Sequence, residues 1–306
     1  MNVTDSRDFE RQYQALRCGK AVVPLRDWSS ISIRGEDRHA FLHNFCTNDV
    51  KQLVPGASCQ AFITNVRGKT IGHGFIGCVA DELTFVGAPG QAPAIIAHLD
   101  RYIIREDVQL LDTTELRRYF LLVGDRAPRT NAVTCNRIVA APCQLVGTEL
   151  GEASKIAADL IDDNFVAVEE SVFNAARIEM GFPLFGVDFD ENNLPQEVAR
   201  DREAISFTKG CYLGQETVAR IDALGHVNQR IVGVRFFADD MPTIGNELTK
   251  EGAVVGRITS AAFSPALKSP FALAMVRREA NADGTRLELS GCECEVSEFP
   301  ARQLAP

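Results

Sequence analysis

From residue 229 to its end, the chain is built of short segments in which polar and apolar residues alternate. Gly, Pro, Asn and Asp separate these segments, which include NELTK, AVVGRITSAAF, FALAMVRR, TRLELSG and CEVSEF. Alternation is typical of strands with one buried face, and the separating residues are those of tight turns. The pattern predicts a small antiparallel β-barrel or sandwich. We place the boundary near Gly225 and expect the barrel to occupy residues 226–306.

Upstream of that boundary, helical and strand-like segments are mixed, which predicts an α+β fold. An amphipathic N-terminal helix is expected to end at Gly19. The helix in SVFNAARIEMG is expected to end at Gly181, the position of a left-handed C-terminal cap. The segment CQAFITNVRGKTIGHGFIGCVADELTFVG predicts three short strands. Its glycines Gly72, Gly74 and Gly77 are unusual inside a strand and indicate a bulge or the close approach of a ligand or of backbone.

The 306 residues carry a net charge of -9, and the sequence pI is near 5.2. Proteins that bind a phosphate backbone usually carry a basic stripe. The densest basic clusters here are two pairs, Arg117-Arg118 and Arg277-Arg278, which we expect at solvated edges. We therefore expect no direct nucleic-acid binding. The residues Asp188, Asp190 and Glu191 are expected to form a solvated acidic loop rather than a catalytic carboxylate pair.

No apolar run approaches the roughly 20 residues that cross a bilayer, so we expect no membrane partner. The charged beginning of the sequence does not resemble a signal peptide. The nine cysteines form an odd set, typical of reduced thiols rather than of a disulfide framework. These features favour a cytoplasmic protein. Cys292 and Cys294 lack nearby histidines or cysteines to complete a metal set, so we expect no metal site.

The segment KGCYLGQE, residues 209–216, leaves three alternatives for Cys211: a nucleophile, a metal ligand or a buried thiol. The neighbouring Lys209 favours a reactive thiol, because a nearby cation stabilises a thiolate. Cysteine catalysis also needs a base, and the sequence alone brings none of the five histidines to Cys211. In the plainer interpretation, Gly210 and Gly214 adopt unusual dihedral angles in a turn, and Cys211 only packs.

KGCYLGQE also resembles the K-G-C-[YF]-x-G-Q-E signature of the YgfZ family of folate-binding proteins. That family is related to the glycine-cleavage T-protein and includes mitochondrial factors that support iron–sulfur maturation. Two further segments are similar to T-protein-type sequences: FLHNFCTNDVKQLVPGASCQAFITNVRGK, and RIEMGFPLFGVDF followed by LPQE. The resemblance covers most of the chain and is weakest between about residues 105 and 168.

The resemblance implies an α+β fold of T-protein-like folate-binding domains with mixed and antiparallel sheets, followed by a small C-terminal antiparallel β-barrel. Residues 1–104 and 169–225 would form a discontinuous folate-binding region. Residues 105–168 would form an inserted α+β subdomain, and residues 226–306 the barrel. The implied cofactor is tetrahydrofolate or a one-carbon derivative, bound in a central cavity.

The resemblance also implies a set of folate-binding residues. Trp28 and Phe173 would offer aromatic surfaces to the flat pterin. Glu179, with Arg177 nearby, would bind the amide and amino groups of the pterin, which present adjacent donors to one carboxylate. The plainer alternatives are that Trp28 and Phe173 are core residues, and that Arg177 and Glu179 lie on a helix surface.

The signature implies three catalytic residues, Cys211, Lys209 and Tyr212, on a turn that faces the cavity or its mouth. T-proteins that transfer a one-carbon unit carry an aspartate four or five residues beyond the glycine of their N-x-x-G motif. This chain has Gly72 and His73 there. An imidazole cannot reproduce a permanent negative charge, so the departure weakens the aminomethyltransferase interpretation. His73 would act as a proton shuttle or as part of a cavity wall.

We therefore predict a folate-dependent accessory protein that supports maturation or repair of iron–sulfur enzymes, and thereby tRNA modification indirectly. Its expected partners are folate and iron–sulfur assembly or client proteins. One thiol is too few to hold a cluster alone, because cluster ligation normally needs four ligands. The alternatives are a folate-dependent one-carbon transferase or demethylase, and a cysteine-nucleophile enzyme that does not use folate.

Overall fold

The computed structural model describes residues 3–124, 132–135, 137–162, 164–238 and 240–301. The α-helices in these ranges are α1 (Val3–Cys18), α2 (Arg38–His43), α3 (Ala92–Leu99), α4 (Ala153–Asp162), α5 (Glu170–Glu179), α6 (Asp201–Ala204) and α7 (Gln215–Leu224). The strands are β1 (Ala21–Leu25), β2 (Ser29–Arg34), β3 (Ser58–Thr64), β4 (Thr70–Val79), β5 (Glu82–Gly87), β6 (Gln109–Asp112), β7 (Arg117–Val123), β8 (Ala132–Cys135), β9 (Cys143–Glu149), β10 (Val166–Ala167), β11 (Gln229–Phe236), β12 (Glu247–Lys250), β13 (Ala253–Ser264), β14 (Ser269–Arg277), β15 (Arg286–Leu289) and β16 (Cys292–Ser297). Among the described residues, no helix combines the length and apolar character that a membrane span needs.

Sheet one consists of five antiparallel strands in the order β3–β4–β5–β2–β6. Its strand β4 carries the glycines that the sequence marked as unusual. A Cβ on Gly72 would lie 2.4 Å from Ile95 of α3, and a Cβ on Gly77 would lie 2.4 Å from Val133 of β8. The pairing register of β3 and β4 shifts beside Gly72, as the bulge alternative predicted. The groups that approach Gly72 and Gly77 are side chains of α3 and β8, and the missing glycine side chains allow this packing on β4.

Sheet two is mixed and has the order β10–β1–β7–β9–β8. Strand β1 pairs in parallel with β10 and antiparallel with β7. Arg117 lies on the internal strand β7, and its side chain is only 18% exposed because it donates to Glu82 of sheet one at 2.5 Å. The expectation of a solvated edge is therefore wrong for Arg117. An acidic partner on the facing sheet, which the sequence did not reveal, compensates its charge.

The C-terminal strands close into a barrel in the order β11–β14–β13–β12–β15–β16. All of its strand pairs are antiparallel. Its interior is filled by alternate residues of the strands, including Val234, Ile258, Ala272 and Val296, each at most 1% exposed. The predicted α+β fold with a small antiparallel barrel is confirmed.

Helices α1 and α5 pack against each other, and both end at a glycine. Gly19 follows α1 with a φ of 75°, and Gly181 follows α5 with a φ of 68°. The left-handed conformation that the sequence predicted at Gly181 is thus confirmed, and Gly19 adopts the same conformation at the predicted end of α1. A Cβ on Gly181 would also lie 2.2 Å from the ring of Phe299, so the end of α5 fits closely against the segment after the barrel.

The core between the two sheets contains residues from both and from α5. Trp28 and Phe75 of the sheet-one side meet Val133 and Leu145 of sheet two in one hydrophobic cluster, which also includes Phe173 of α5. This cluster places Trp28, in the link between β1 and β2, at the junction of the two sheets.

Candidate functional site

The KGCYLGQE segment forms an irregular turn that ends at the start of α7. The turn rests on the loop after α2. The N–H groups of Leu213 and Ser206 donate to the carbonyls of Asn44 and Thr47, each at 2.9 Å. The Thr47 hydroxyl donates to the carbonyl of Ala204 at 2.6 Å. The signature turn and the residues just before it thus pack on the loop that contains the T-N-D-V segment.

The buried side chain of Lys209 holds this turn in place. Its buried ammonium donates to the carbonyls of His43, Cys46 and Asn48 at 2.6, 2.7 and 3.1 Å. The same nitrogen lies 4.9 Å from the centroid of the Tyr212 ring, a distance suited to a cation–π contact. Burial lowers the pKa of Lys209 from its ordinary value. Lys209 therefore positions the turn, and it stabilises the carbonyl groups that follow α2.

Two glycines bring the signature turn into contact with the N-x-x-G motif. Gly214 has a φ of 87° and Gly68 a φ of 74°. A Cβ on Gly214 would lie 2.4 Å from the carbonyl oxygen of Asn65 and 2.8 Å from the Cα of Gly68. Only glycine tolerates both the dihedral angle and the approach. The unusual dihedral predicted for Gly214 is confirmed, whereas Gly210 is not among the residues with positive φ.

Cys211 is exposed to solvent, whereas its neighbour Tyr212 is buried. The structure therefore excludes the interpretation of Cys211 as a packed thiol. Tyr212 shares a hydrophobic cluster with Phe62, and the Phe62 ring stacks on His73 with centroids 4.6 Å apart. The buried cluster that contains Tyr212 and Phe62 thus lies between the exposed turn and sheet one.

The structure also places a histidine beside the turn. The Nε2 atom of His43 lies 3.6 Å from the position that a Cβ on Gly210 would take, one residue from Cys211. Its Nδ1 atom lies 3.2 Å from a carboxylate oxygen of Asp49. Burial and the Lys209 ammonium lower the pKa of His43, and Asp49 opposes them only in part. The lowered pKa favours the neutral imidazole.

A small interior cavity lies between sheet one and the segment after α5. Its lining includes Trp28, His73, Phe182 and Phe185, and its volume is about 10 Å³. That is room for roughly one water molecule. Trp28 is the predicted folate-binding residue that lines this cavity, and Phe173 belongs to the same core cluster as Trp28.

His73 is held neutral in the cavity wall. The side-chain amide of Gln60 donates to its Nε2 at 2.7 Å, and its backbone N–H donates to Gln91 at 2.7 Å. Burial and the charge of Arg200 lower the pKa of His73 to about 3. An imidazole with this pKa does not exchange protons near neutral pH. The structure therefore favours the cavity-wall alternative over the proton shuttle.

Glu179 is buried and connects three parts of the molecule. The hydroxyl of Tyr13 in α1 donates to it at 2.7 Å, and the hydroxyl of Ser264 in β13 donates to its other oxygen. The N–H of Ala266 adds a longer contact of 3.4 Å. Burial raises the pKa of Glu179 from its ordinary value, although these donors oppose the rise. The alternative of an exposed helix residue is wrong for Glu179, because protein donors compensate its burial.

Arg177 is buried as well, and it joins α5 to the barrel. Its guanidinium donates to the carboxylate of Asp188 at 3.0 Å and to the hydroxyl of Ser260 in β13 at 2.9 Å. A third donor reaches the carbonyl of Phe182 at 3.2 Å. The Asp188 side chain is fully buried, so the expected solvated loop is wrong for this residue. Arg177 and Glu179 therefore connect secondary-structure elements through hydrogen bonds, and they do not line the small cavity at Trp28.

A second, larger cleft of about 910 Å³ opens between sheets one and two. Its charged lining includes Arg34, Glu82, Arg117 and Glu149. The Glu82 carboxylate accepts from Arg34 at 3.0 Å and from Arg117 at 2.5 Å, so these charges compensate one another. The predicted site residues thus lie in three places: on the exposed turn, around the small cavity, and at the hydrogen bonds that join α5 to the barrel. None of them lines this cleft.

Comparison with known proteins agrees with this architecture. Residues 229–301 match the glycine cleavage T-protein C-terminal barrel domain. A chloroplastic protein of Arabidopsis thaliana, named a "putative transferase", is 26% identical over 94% of this chain and 73% of its own length. An aminomethyltransferase of Thermus thermophilus is 26% identical over 88% of this chain and 83% of its own length.

Among solved structures, the aminomethyltransferase T of the glycine cleavage system from Bartonella henselae superposes with a TM-score of 0.83. The two chains are 18% identical, and the match covers 95% of this chain and 89% of the other. The fold is therefore T-protein-like. The barrel match and the sequence similarity support a place in the T-protein-like superfamily, with a relationship to aminomethyltransferases.

Proposed function

We propose that this protein binds tetrahydrofolate or a one-carbon derivative, is of the YgfZ type, and presents Cys211 as a functional thiol in the maturation or repair of iron–sulfur enzymes. The observation that carries the proposal is the exposure of Cys211 on a turn fixed by Lys209, by Gly214 and by the bond from Leu213 to Asn44. A thiol kept accessible by so many buried contacts is better explained by chemistry than by packing. An effect on tRNA modification then follows indirectly, through the enzymes served.

The lining of the small cavity suits a pterin in its chemistry. Trp28 and Phe182 offer flat apolar surfaces, and His73 adds a polar ring to the lining. The volume of about 10 Å³ does not suit it, because ligand pockets ordinarily hold roughly 300 Å³ or more. Binding therefore requires the half-buried residues at 184–185 to move outward. When bound, tetrahydrofolate supplies a carrier for one-carbon groups.

In this proposal, His43 is the group that accepts the Cys211 proton. Its Nε2 atom lies beside Gly210, and its Nδ1 atom lies 3.2 Å from a carboxylate oxygen of Asp49. A cysteine, a histidine and a carboxylate in this order are the parts of an activated nucleophile. Lys209 and Tyr212 hold the turn in place. The thiolate so formed would meet a folate one-carbon unit, a sulfur species or a cluster intermediate.

A second candidate is a folate-dependent one-carbon transferase, which the similarity to aminomethyltransferases favours. The buried neutral His73 speaks against it, because this side chain supplies no negative charge to stabilise a developing cation. The two candidates differ in turnover. A transferase consumes an amine substrate in the presence of tetrahydrofolate, whereas the accessory protein binds folate without consuming the amine.

Iron–sulfur assembly or client proteins are the proposed partners, because a bridging cluster needs further ligands besides one thiol. The net charge of -9 suits protein partners better than direct contact with nucleic acid. All nine cysteines are free, which fits the reducing conditions of the cytoplasm. We further propose that residues 1–104 and 169–225 form one folding region, into which 105–168 is inserted, and that 226–306 form the barrel domain.

Replacement of Cys211 by alanine tests the proposed function. We expect Cys211→Ala to keep the fold and the tetrahydrofolate affinity, because the side chain is exposed. We expect it to fail to restore iron–sulfur enzyme activity in cells that lack the protein. Cys292→Ala removes another exposed thiol and is the matched control, which should restore activity fully. Full restoration by Cys211→Ala would show that the thiol is dispensable.

A further inference from the structure

Two buried cysteines face each other across neighbouring strands of sheet two. Cys135 ends β8 and Cys143 begins β9, and the antiparallel register pairs them directly. Their Sγ atoms are 3.3 Å apart. Directly paired residues of antiparallel strands have Cα atoms about 4.5–5.5 Å apart, which lies within the span of a disulfide. Bond formation needs the sulfurs only about 1.3 Å closer, a movement that side-chain rotation provides.

The two thiols are not equivalent. The Cys135 thiol donates to the sulfur of Cys143, and the Cys143 thiol donates to the carbonyl of Cys135, both at 3.3 Å. Cys143 is 5% exposed and Cys135 is 1% exposed. Burial and the adjoining thiol raise the pKa of Cys135 well above its ordinary value. Cys143 is therefore the sulfur that meets a small oxidant first, and Cys135 is placed to attack it afterwards.

We propose that Cys135 and Cys143 form a reversible redox site, which a peroxide oxidises to an intramolecular disulfide. The sulfur of Cys143 attacks hydrogen peroxide, the O–O bond breaks, and a sulfenic acid and one water are formed. The sulfur of Cys135 then attacks the sulfenic sulfur, the S–S bond forms, and the S–O bond breaks with loss of a second water. The two thiols lose two protons and two electrons, and the peroxide is reduced to water.

The disulfide would act on the contact between the two sheets. Strand β8 lies at the edge of sheet two and packs on sheet one, where Val133 contacts Gly77. The carbonyl of Thr134 also accepts a hydrogen bond from the hydroxyl of Ser58. A bond to β9 fixes β8 in this position and closes the chain around residues 136–142, which restricts the unfolded state. This redox site is independent of the proposed role of Cys211.

The test uses the full chain with its exposed cysteines, Cys18, Cys211 and Cys292, replaced by serine. The native protein is treated with stoichiometric hydrogen peroxide and digested without reductant. We expect mass spectrometry to find the peptide of Cys135 joined to that of Cys143, with the loss of two hydrogen atoms. Treatment of the native protein with a dithiol should restore both thiols. The thermal midpoint should be higher in the oxidised form and return on reduction.

The control carries Cys143→Ala in the same background, and its thermal midpoint should not respond to peroxide. Oxidation of Cys143 to sulfinic acid with no joined peptide would overturn the proposal. A joined peptide that a dithiol does not reduce in the native protein would overturn it as well. If the control does not fold, the peptide map of the parent protein still decides whether Cys135 and Cys143 form the disulfide.

Discussion

The Lys209 ammonium donates to the carbonyl of His43 at the end of α2, and to those of Cys46 and Asn48 in the loop that follows. The carbonyl groups at a helix C-terminus lack partners within the helix. The Lys209 ammonium therefore stabilises both the loop after α2 and the turn that carries Cys211. The sequence predicted a cation next to the cysteine. It did not predict the carbonyls, because Lys209 and His43 are 166 positions apart in the chain. For the same reason, the sequence did not predict that His43 lies beside the turn.

Replacing Lys209 by methionine keeps the length of the side chain and removes the charge. We expect Lys209→Met to lower the free energy of unfolding by about 2–3 kcal/mol, because two buried carbonyls and one partly buried carbonyl lose a charged donor. Urea unfolding at pH 7 measures the change. Lys155→Met, on the exposed side of α4, is the control and should stay within about 0.5 kcal/mol of the wild type. Equal effects of the two substitutions would refute the anchoring role.

At the scale of elements, strand β4 is the point where α3 and sheet two approach sheet one. The sequence predicted a bulge or a close approach at the glycines of β4. It also predicted the barrel strands and the helices that end at a glycine. The burial of Asp188 and Arg117 was not predicted. Their ion-pair partners, Arg177 and Glu82, lie on other elements, so the polarity of the neighbouring sequence does not reveal the pairing.

A methyl group at Gly77 should separate β4 from β8. Its Cβ would lie 2.4 Å from a methyl carbon of Val133, too close for any real contact. We expect Gly77→Ala to lower the free energy of unfolding by about 1–3 kcal/mol, the usual effect of overpacking. Gly151→Ala is the control, because nothing lies within 4 Å of its added Cβ. A difference of less than a few tenths of a kcal/mol between the two variants would show that the sheets adjust freely.

At the scale of the whole molecule, Glu82 links the two sheets. It lies on β5 of sheet one and accepts from Arg117 on β7 of sheet two, and from Ser32 and Arg34 on β2. Burial alone would raise the pKa of this carboxyl. The donors outweigh burial, with Arg117 and Ser32 contributing most, and they lower the pKa of Glu82 to about 2. The ionised form therefore stabilises the folded state.

This shift gives a pH dependence with a definite sign. The folded pKa of Glu82 lies below the value of about 4.3 for an unfolded chain, so the stabilisation is present above that value and is lost as pH falls toward 2. The stability advantage of the wild type over Glu82→Gln should shrink by about 2 kcal/mol between pH 7 and pH 3. Glu152→Gln, an exposed carboxylate of the same cleft, is the control and should show no such trend. Urea unfolding across this pH range makes the comparison, and parallel curves for wild type and Glu82→Gln would contradict it.

The overall architecture followed from the sequence because strand alternation, helix-ending glycines and the T-protein-like motifs are all local signals. The volume of the cavity at Trp28 and His73 did not follow, because it depends on how side chains from separate elements fill one space. The same limit applies to Glu179, whose partners Tyr13 and Ser264 belong to the first helix and to the barrel.

Isothermal titration calorimetry with tetrahydrofolate, under anaerobic and reducing conditions, tests the central claim most directly. We predict saturable binding at one site, unchanged in Cys211→Ala and at least about tenfold weaker in Trp28→Ala, because a stacking surface contributes roughly 1–3 kcal/mol. A wild-type protein that is folded and yet shows no saturable heat with tetrahydrofolate would contradict the account.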